Sequence, residues 1–528
     1  MTNSIDELED ISVALIIGSN TTEAHPVIAA HLKRAVLKGA KLVVADPRYT
    51  GIARFASLYL PLKVGTDVAL LNGIMHVIIQ KGLEDKRFIQ DCTEDYEVLK
   101  DTVMEYPPSR AAQITGLPEE DIVKAARMLS SARPASLIYT LGITEHTCGV
   151  DNVLSCANLQ MLLGNTGSMC GGVNPLRGQN NVQGACDMGT MPNVFCCYQK
   201  VTDESARKKF EKFWAVKNLP ERVGLTIPQM LDGMKDGSIK ALYFIGENLL
   251  LSEPNIAHTK ACLENAEFLV TQDIFMTEST SLCHVVFPAT TWAEEDGTFT
   301  NSERRVNRVR KAIEPSGQAK PDWWIVRALA QAMGAHWTHK SAKEIWDNEI
   351  SVFSPQLRGI KYYRIEGDGL QWPVFNEEHM GTCYLHKGGC FTRGKGKFHG
   401  IQWLPPAEVP DNEYPFTLTT GRRLYHYHTR TQTGRSKGLD TLLPEEFIEI
   451  NPKDAESIGV KDGQKVRAIS RRGEVLVTAH VTERVQSGLV FMAFHFAEAN
   501  ANVLTNNAFD PVSNTAEYKA CAVKIMPA

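Results

Sequence analysis

No stretch of this sequence approaches the ~20 consecutive apolar residues that a bilayer-spanning helix requires, so no membrane-embedded segment is expected. Met1–Asp10 has none of the basic, apolar and small-residue zones of a secretory leader, and the expectation is a cytoplasmic chain. Twelve cysteines in 528 residues are too few for a disulfide scaffold, and none stand in C-x-x-C or another close cluster-binding spacing. They are expected to be reduced thiols, mostly packed as small hydrophobes, and no iron-sulfur motif is found in the chain. An excess of one charge is also missing. The net charge of -5 gives no reason to expect nucleic acid or an anionic membrane as a partner.

What is present is ordinary globular material, 43% hydrophobic and 22% charged, in a chain too long for one core. From Ile11 to about Ala289, short apolar strands alternate with helical segments, the rhythm of βαβ units on a parallel sheet. Val13–Ile17, Lys41–Ala45, Ser57–Leu62 and Ser136–Leu141 read as buried strands; Pro26–Leu37, Val68–Lys81 and Leu117–Ser130 read as helices. From Glu413 onward, short strands separated by turn residues predict a small β-barrel: Phe416–Thr420, Phe447–Ile450, Lys465–Ser470, Glu474–Val481 and Gly488–Phe494. The fold class is therefore α/β, with two doubly wound units and a C-terminal barrel. The expected divisions are 1–180, 181–292, a poorly periodic stretch 293–410 and the barrel domain 411–528. Within that stretch, the glycines of Arg393–Gly400 are spaced wrongly for a dinucleotide fingerprint, and a basic surface loop or a docking surface is expected.

One pattern occurs twice. Ile17-Gly18-Ser19-Asn20, Pro26, an apolar run ending at Asp46 and a second run ending at Pro61 recur as Ile245-Gly246-Glu247-Asn248, Pro254, Asp273 and Pro288. Glycine to proline is 8 residues in both copies, glycine to aspartate 28 and 27, and aspartate to the last proline 15 in both. Ligands collect beyond the carboxyl ends of parallel strands, so the glycine loops can accept phosphates. Asp46 and Asp273 can each take paired N–H bonds from a nucleobase edge such as guanine's, or can simply cap a turn. Recurrence of the whole spacing favours two nucleotide half-sites.

Between the copies lies Asn174–Gly189, rich in glycine and side-chain amides and almost free of helix or strand signal. Its one cation, Arg177, has the fork that grips a carboxylate bidentately, which suits a small anionic substrate, although a structural salt bridge is the alternative. Cys186 has no histidine beside it, and a packed thiol is expected. Gly421–His428 combines cations, imidazoles and aromatics that can hold phosphate and stack a heterocycle. His426 and His428 would share one face of a strand, yet no further ligand stands nearby to complete a metal site, and no metal ligand is assigned. Asn502, Thr505 and Lys519 fall in a second polar stretch near the C-terminus.

These residues resemble a known family. The run Gly172–Gly189, with Gln272–Thr277 and Glu517–Val523, is similar to the catalytic subunits of molybdenum or tungsten formate dehydrogenases, in the molybdopterin oxidoreductase family, and the resemblance extends over essentially the whole chain. It implies two-electron oxidation of formate to carbon dioxide, reversibly, at a molybdenum or tungsten ion held by two molybdopterin guanine dinucleotides. By position, Gly18, Asn20, Asp46, Arg48, Gly65 and Asp67 would serve one dinucleotide, and Gly142, Gly246, Glu247, Asp273 and Thr277 the other. Arg422, His426, Asn502 and Lys519 would contact pterin or phosphate from the barrel. Arg177 would orient formate, with Gln179 lining the same pocket. Competing expectations are another bis-dinucleotide enzyme, such as a nitrate reductase, or a non-catalytic scaffold subunit of a respiratory complex.

The resemblance further implies an upstream segment that carries a [4Fe-4S] cluster and then a metal-ligating cysteine or selenocysteine followed by histidine; neither is found in this sequence. The start at Thr2–Glu7 reads as a capping-box helix entry that in the family follows the metal ligand. The expectation is a downstream portion, inactive alone, whose 293–410 stretch would pack on that segment; a selenocysteine codon read as a stop would account for it. Electron-transfer subunits of iron-sulfur, flavin or hydrogenase type are the implied partners.

Overall fold

Strands buried on both faces carry the first 178 residues. In the computed structural model, which describes all 528 residues, β1 (Val13–Ile17), β2 (Lys41–Ala45), β3 (Leu58–Leu60), β4 (Ala135–Tyr139) and β5 (Val173–Pro175) form one parallel sheet in the order β3-β2-β1-β4-β5. Alternate side chains enter two different cores, as the two-residue strand period requires. Val13, Leu15 and Ile17 pack with Leu70, Ile74 and Leu129 on one face; Ala14 and Ile16 pack with Ile28, Leu32 and Ala35 on the other. A helix on each side buries both faces, so these strands read as continuous apolar runs rather than alternating ones. The helix Asp67–Gln80 is buried continuously from Asp67 to Ile78, which explains its lack of a polar face.

A second compact unit comprises residues 179–250 and 258–383. Its parallel sheet has β6 (Ala241–Ile245), β7 (Phe268–Asp273) and β8 (Val285–Pro288) in the order β8-β7-β6, the same relative order as β3-β2-β1. An antiparallel sheet of Gly297–Thr300, Arg305–Val309 and Leu370–Gln371 and the helix Asp322–Ala332 bring regular structure to the poorly periodic stretch. Buried Arg304 organises this part by donating to the Trp372, Thr382 and Cys383 carbonyls.

Residues 384–528 and the segment 251–257 belong with 1–178 in the first unit. Here β9 (Phe416–Gly421), β10 (Phe447–Ile450), β11 (Lys465–Ile469), β12 (Glu474–Val481), β13 (Leu489–Ala493) and β14 (Cys521–Pro527) close a barrel in the order β9-β13-β10-β12-β11-β14. The sixth strand is a finding: Cys521–Pro527 pairs with β9 and β11 and supplies Cys521, Val523 and Ile525 to the barrel core. The Arg393–Gly400 loop docks rather than floating in solvent. Gly396–Lys397 pairs with Thr93–Glu94, and Phe398 is buried in the first core. At the N-terminus the expected helix is a single 3-10 turn, Asp6–Glu9, fixed by bonds from Asn3 and Cys170 to the Glu7 carboxylate. All twelve cysteines are free thiols, six of them buried. No helix is long and apolar enough to cross a membrane.

The barrel is fastened to the sheet by buried charge. Arg48, just past β2, is 4% exposed and grips Glu449 of β10 bidentately, Nε at 2.7 Å and Nη2 at 2.6 Å. Arg423 adds a bond to Glu449 at 3.1 Å and one to Glu446 at 2.9 Å. The two guanidiniums also lie over aromatic rings, Arg48 on Phe491 at 3.8 Å and Arg423 on Phe447 at 3.5 Å. Burial alone would raise the Glu449 pKa, but the bonds and charges of Arg48, Arg423 and Arg484 outweigh it and hold the carboxyl at about 2. Glu446 is raised, because burial there outweighs Arg423 and the backbone N–H groups of Ala493 and Phe447.

Removing Glu449 strands the buried Arg48 guanidinium and leaves Arg423 with Glu446 as its carboxylate, so Glu449→Ala is expected to lose about 3–5 kcal/mol of stability at neutral pH. A pKa depressed below its unfolded value stabilises the fold above that unfolded value, and the support disappears as pH falls toward about 2. Denaturant unfolding at pH 7 and pH 3 should therefore show the deficit shrinking on acidification. A variant within 1 kcal/mol of the parent at pH 7 contradicts the clasp.

Candidate functional site

The carboxyl ends of β1, β2 and β4 open into one cavity roofed by the barrel, with about 960 Å³ of empty space, part of it open to solvent. Gly18, Asn20, Asp46, Arg48, Gly65, Asp67, Gly142, Arg422 and Lys519 all line it. Gly142, expected with the second repeat copy, instead sits against Gly18, because β4 pairs directly with β1. A Cβ on Gly142 would stand 2.6 Å from the Gly18 backbone, and one on Gly18, where φ is +56°, would stand 2.7 Å from Gly142. The loops after β1 and β4 can meet, and expose their backbone to a ligand, only because both residues are glycine.

Charge is sorted along the cavity. Asp46 and Asp67 are both buried acids. Asp46 Oδ1 accepts from the Arg48 N–H at 3.0 Å and caps the turn, while Oδ2 has no protein partner. Burial raises the Asp46 carboxyl to about 6 against the pull of Arg48, and burial likewise raises Asp67. A carboxylate with an open oxygen in a poorly solvated wall can take N–H donors from a purine edge or hydroxyls from a ribose. Arg422 is the cationic counterpart. Its guanidinium makes no hydrogen bond or ion pair, its buried Nε is unsatisfied, and burial lowers its pKa. Lys519 is held by Glu145 at 2.7 Å and the Thr420 carbonyl at 3.0 Å. An orphaned buried guanidinium requires an anion, and phosphate or pterin oxygens match it.

Some expected contacts have other work. The Arg48 guanidinium is turned away onto Glu449, so Arg48 builds the wall rather than offering its charge. His426 is held by the Leu443 carbonyl at 2.7 Å and by Thr433, away from the cavity lining, and fixes the 426–443 loop. Asn502 donates to the Leu251 and Ser252 carbonyls and tethers segment 251–257. Thr277 exchanges bonds with Thr280. His25, Lys63, Thr140, Glu145 and His146 were missed in the sequence. His25 had the clearest signal, a polar residue directly before the proline that opens a helix, just after a glycine loop.

The second copy repeats the backbone device. Gly18 N–H bonds to the Ala45 carbonyl at 3.0 Å, and Gly246 N–H to the Gln272 carbonyl at 2.9 Å, both glycines having positive φ. Each glycine therefore meets the residue before its aspartate. Asp273 Oδ1 caps its own turn through the Ile274 and Phe275 N–H groups. Beside it Asp322, held by Gln272, is raised mainly by burial, and Glu295 is raised by burial to about 7. Glu247 stands in the loop after Gly246.

Arg177 follows β5, and its neighbours Leu176 and Gly178 line the first cavity. The loop around it is more regular than expected: Val182–Asp187 is a helix, with Asp187 accepting from Gln183, Tyr198 and Trp372, each at 2.8 Å. Gln179 opens the second unit. Cys186 lies on that helix, partly exposed.

Glycine loops at parallel strand ends, buried acids with open oxygens and an unpaired cation under a barrel define a protein that binds a dinucleotide-type cofactor. The chain belongs to the molybdopterin oxidoreductase family: the model described as molybdopterin oxidoreductase matches residues 1–332, and that described as molydopterin dinucleotide binding domain matches residues 416–522. The alpha subunit of F420-dependent formate dehydrogenase from Methanocaldococcus jannaschii is 49% identical over 99% of this chain and 78% of its own length. Formate dehydrogenase H of Escherichia coli is 36% identical over 100% of this chain and 74% of its own. Among solved structures, acetylene hydratase from Pelobacter acetylenicus superposes with a TM-score of 0.76 at 20% identity, over 99% of this chain and 81% of that one, and shares the fold.

Two outcomes test this site. Gly142→Ala forces the β1 and β4 loops apart, so it should lose about 1–3 kcal/mol of stability and leave most of the protein without pterin, measured by fluorescence of the oxidised pterin; full pterin content rules the close approach unimportant. For Asp46, a folded pKa above the unfolded value means that stability is lost as pH rises from about 4 to about 6. Cofactor-free Asp46→Asn should therefore be the more stable protein at pH 8, by up to about 3 kcal/mol, with a flatter pH profile, yet retain less cofactor. Equal stability at pH 8 would show that the acid is not strained by burial.

Proposed function

We propose that this chain is the catalytic portion of a formate dehydrogenase, oxidising formate to carbon dioxide by removal of two electrons and a proton, with the reverse reaction open to it. The observation that carries the reading is Arg177, at the end of a parallel strand beside the cofactor cavity, in a chain 49% identical to a formate dehydrogenase alpha subunit. Two molybdopterin guanine dinucleotides fit the two repeat copies. Gly18, Asn20, Gly65, Gly142, Asp46 and Asp67 would cradle one, with Arg422 and Lys519 meeting its anionic part. Gly246, Glu247, Asp273 and Asp322 would receive the other. When bound, the molybdenum or tungsten centre supplies the two-electron acceptor.

The chain's own residues supply orientation and charge. The Arg177 fork can hold both formate oxygens, so that the C–H bond has one direction, and it keeps its charge where water is scarce. Partners carrying flavin, iron-sulfur or hydrogenase centres would take the electrons onward.

Arg177→Ala should lower kcat/KM for formate on the order of 10²- to 10³-fold, about the effect of losing one preorganised donor. Arg177→Lys, which keeps charge without the fork, should recover only part of it. Dye-linked assays with formate and, separately, nitrate check this at matched metal content. An Arg177→Ala enzyme within threefold of the parent, or a parent that reduces nitrate and ignores formate, overturns the assignment.

A further inference from the structure

His25 stands where the loop after β1 ends and the helix Pro26–Leu37 begins. Pro26 disfavours the helical conformation for the residue before it, His25 having φ −139° and ψ 59°, and the helix is rooted in the core through Ile28, Leu32 and Ala35. His25 is bonded on both sides, its N–H to the Thr21 carbonyl at 2.9 Å and its carbonyl from the Ala29 N–H at 2.9 Å. The imidazole is thus carried on a rigid mount. Its Nε2 lies 2.6 Å from the carbonyl oxygen of Arg177, 152 residues away. A carbonyl can only accept, so Nε2 carries the proton. Nδ1 is buried with no protein partner. Burial lowers the His25 pKa, with the Arg422 charge adding to the effect and the Arg177 carbonyl opposing it, which favours the neutral ring with its single N–H.

The Arg177 backbone is also held from two other directions. On one side the Leu176 N–H bonds to the Tyr139 carbonyl at 2.9 Å, extending the sheet register past β5. On the other, a Cβ on Gly178 would stand 2.8 Å from the Arg422 guanidinium, so the chain passes directly beneath that group. Strand register fixes where Arg177 enters; the imidazole fixes how its peptide plane is turned. With both flanking peptides held, φ and ψ of Arg177 are fixed together, and with them the direction in which the Cα–Cβ bond leaves the chain.

We propose that His25 is the positioning residue of Arg177, its Nε2–H locking the Arg177 carbonyl and thereby the direction in which the guanidinium meets a small carboxylate. The inference rests on the formate reading for its substrate, but not for the contact itself. Nothing in it requires His25 to touch substrate or to exchange a proton.

The test compares His25→Leu, which fills the space without a donor, with His25→Gln, whose amide N–H can reach the Nε2 position. In the metal-loaded enzyme, at equal pterin and metal content, His25→Leu should lower kcat/KM for formate about tenfold to a hundredfold, most of it in KM, as expected for a small misplacement of a substrate-binding group. His25→Gln should return within about threefold of the parent. Hydrogen exchange read by mass spectrometry gives an arm independent of turnover: the peptide covering residues 174–182 should exchange faster in His25→Leu and at the parental rate in His25→Gln. Parental KM in His25→Leu, equal damage in both variants, or unchanged exchange in that peptide overturns the proposal. A parent without formate activity defeats the functional reading instead, and the exchange arm then decides the contact alone.

Discussion

The buried carboxylate of Glu449, shared between Arg48 and Arg423, is the interaction on which the cavity depends. Arg48 belongs to the turn that leaves β2, and Glu449 to a barrel strand 401 residues later. A buried ion pair contributes little net stability by itself, since desolvation consumes most of its attraction, but breaking it costs several kcal/mol. Such an interaction selects one docking geometry and penalises near misses. The bidentate fork adds direction, because its two bonds fix rotation as well as distance. The barrel therefore settles over the sheet in a single pose, and that pose puts Thr419, Thr420, Arg422 and Phe491 into the cavity wall.

The same turn explains why acid and base separate within so few residues. The Arg48 N–H bonds to Asp46 Oδ1, so the backbone that sends the guanidinium toward the barrel also points the carboxylate toward the cavity. With Arg48 neutralised by Glu449, Asp46 remains an acid whose neighbouring cation is already engaged, and burial raises its pKa to about 6. Arg422, by contrast, forms no ion pair, its nearby carboxylate Glu145 being taken by Lys519, in a wall also lined by His25. The protein holds an unsatisfied acid and an unsatisfied base in one cavity, an arrangement whose cost falls when a ligand with N–H donors at one end and anionic oxygens at the other is present.

Local signals in the sequence carried much of this. Pro26–Leu37 and Val13–Ile17 fall where periodicity and the opening proline put them, and the two spaced copies of the repeat each carry a glycine whose N–H bonds to the residue before the aspartate, Ala45 and Gln272. What escaped was settled by contacts far apart in sequence. Gly142 joins Gly18 because β4 is β1's neighbour, a strand order no local pattern encodes. Val182–Asp187 is helical despite Gly184 because Asp187 is anchored by Tyr198 and Trp372. The strand Cys521–Pro527, absent from the five expected barrel strands, is defined by its pairing with β9 and β11, which closes the barrel. Arg48 was expected beside a dinucleotide, and its pairing with Glu449, 401 residues away, is not visible in any local pattern.

The two repeat copies show where the backbone and the side chains part company. In both, a positive-φ glycine bonds to the carbonyl before an aspartate, and in both that aspartate caps a turn with Oδ1. A backbone device tolerates changes in the residues around it, because it asks only for glycine and for strand register. Side-chain surroundings are not copied. Asp46 has Asp67 near it in a wall that includes Gly18, Gly65 and Gly142, whereas Asp273 has Asp322 near it and Asp322 in turn has Glu295, these last two raised in pKa by burial. Asp322 already receives a donor from Gln272, and Asp273 the N–H groups of Ile274 and Phe275, so the second copy meets its acids with protein donors where the first leaves Asp46 Oδ2 open to the cavity.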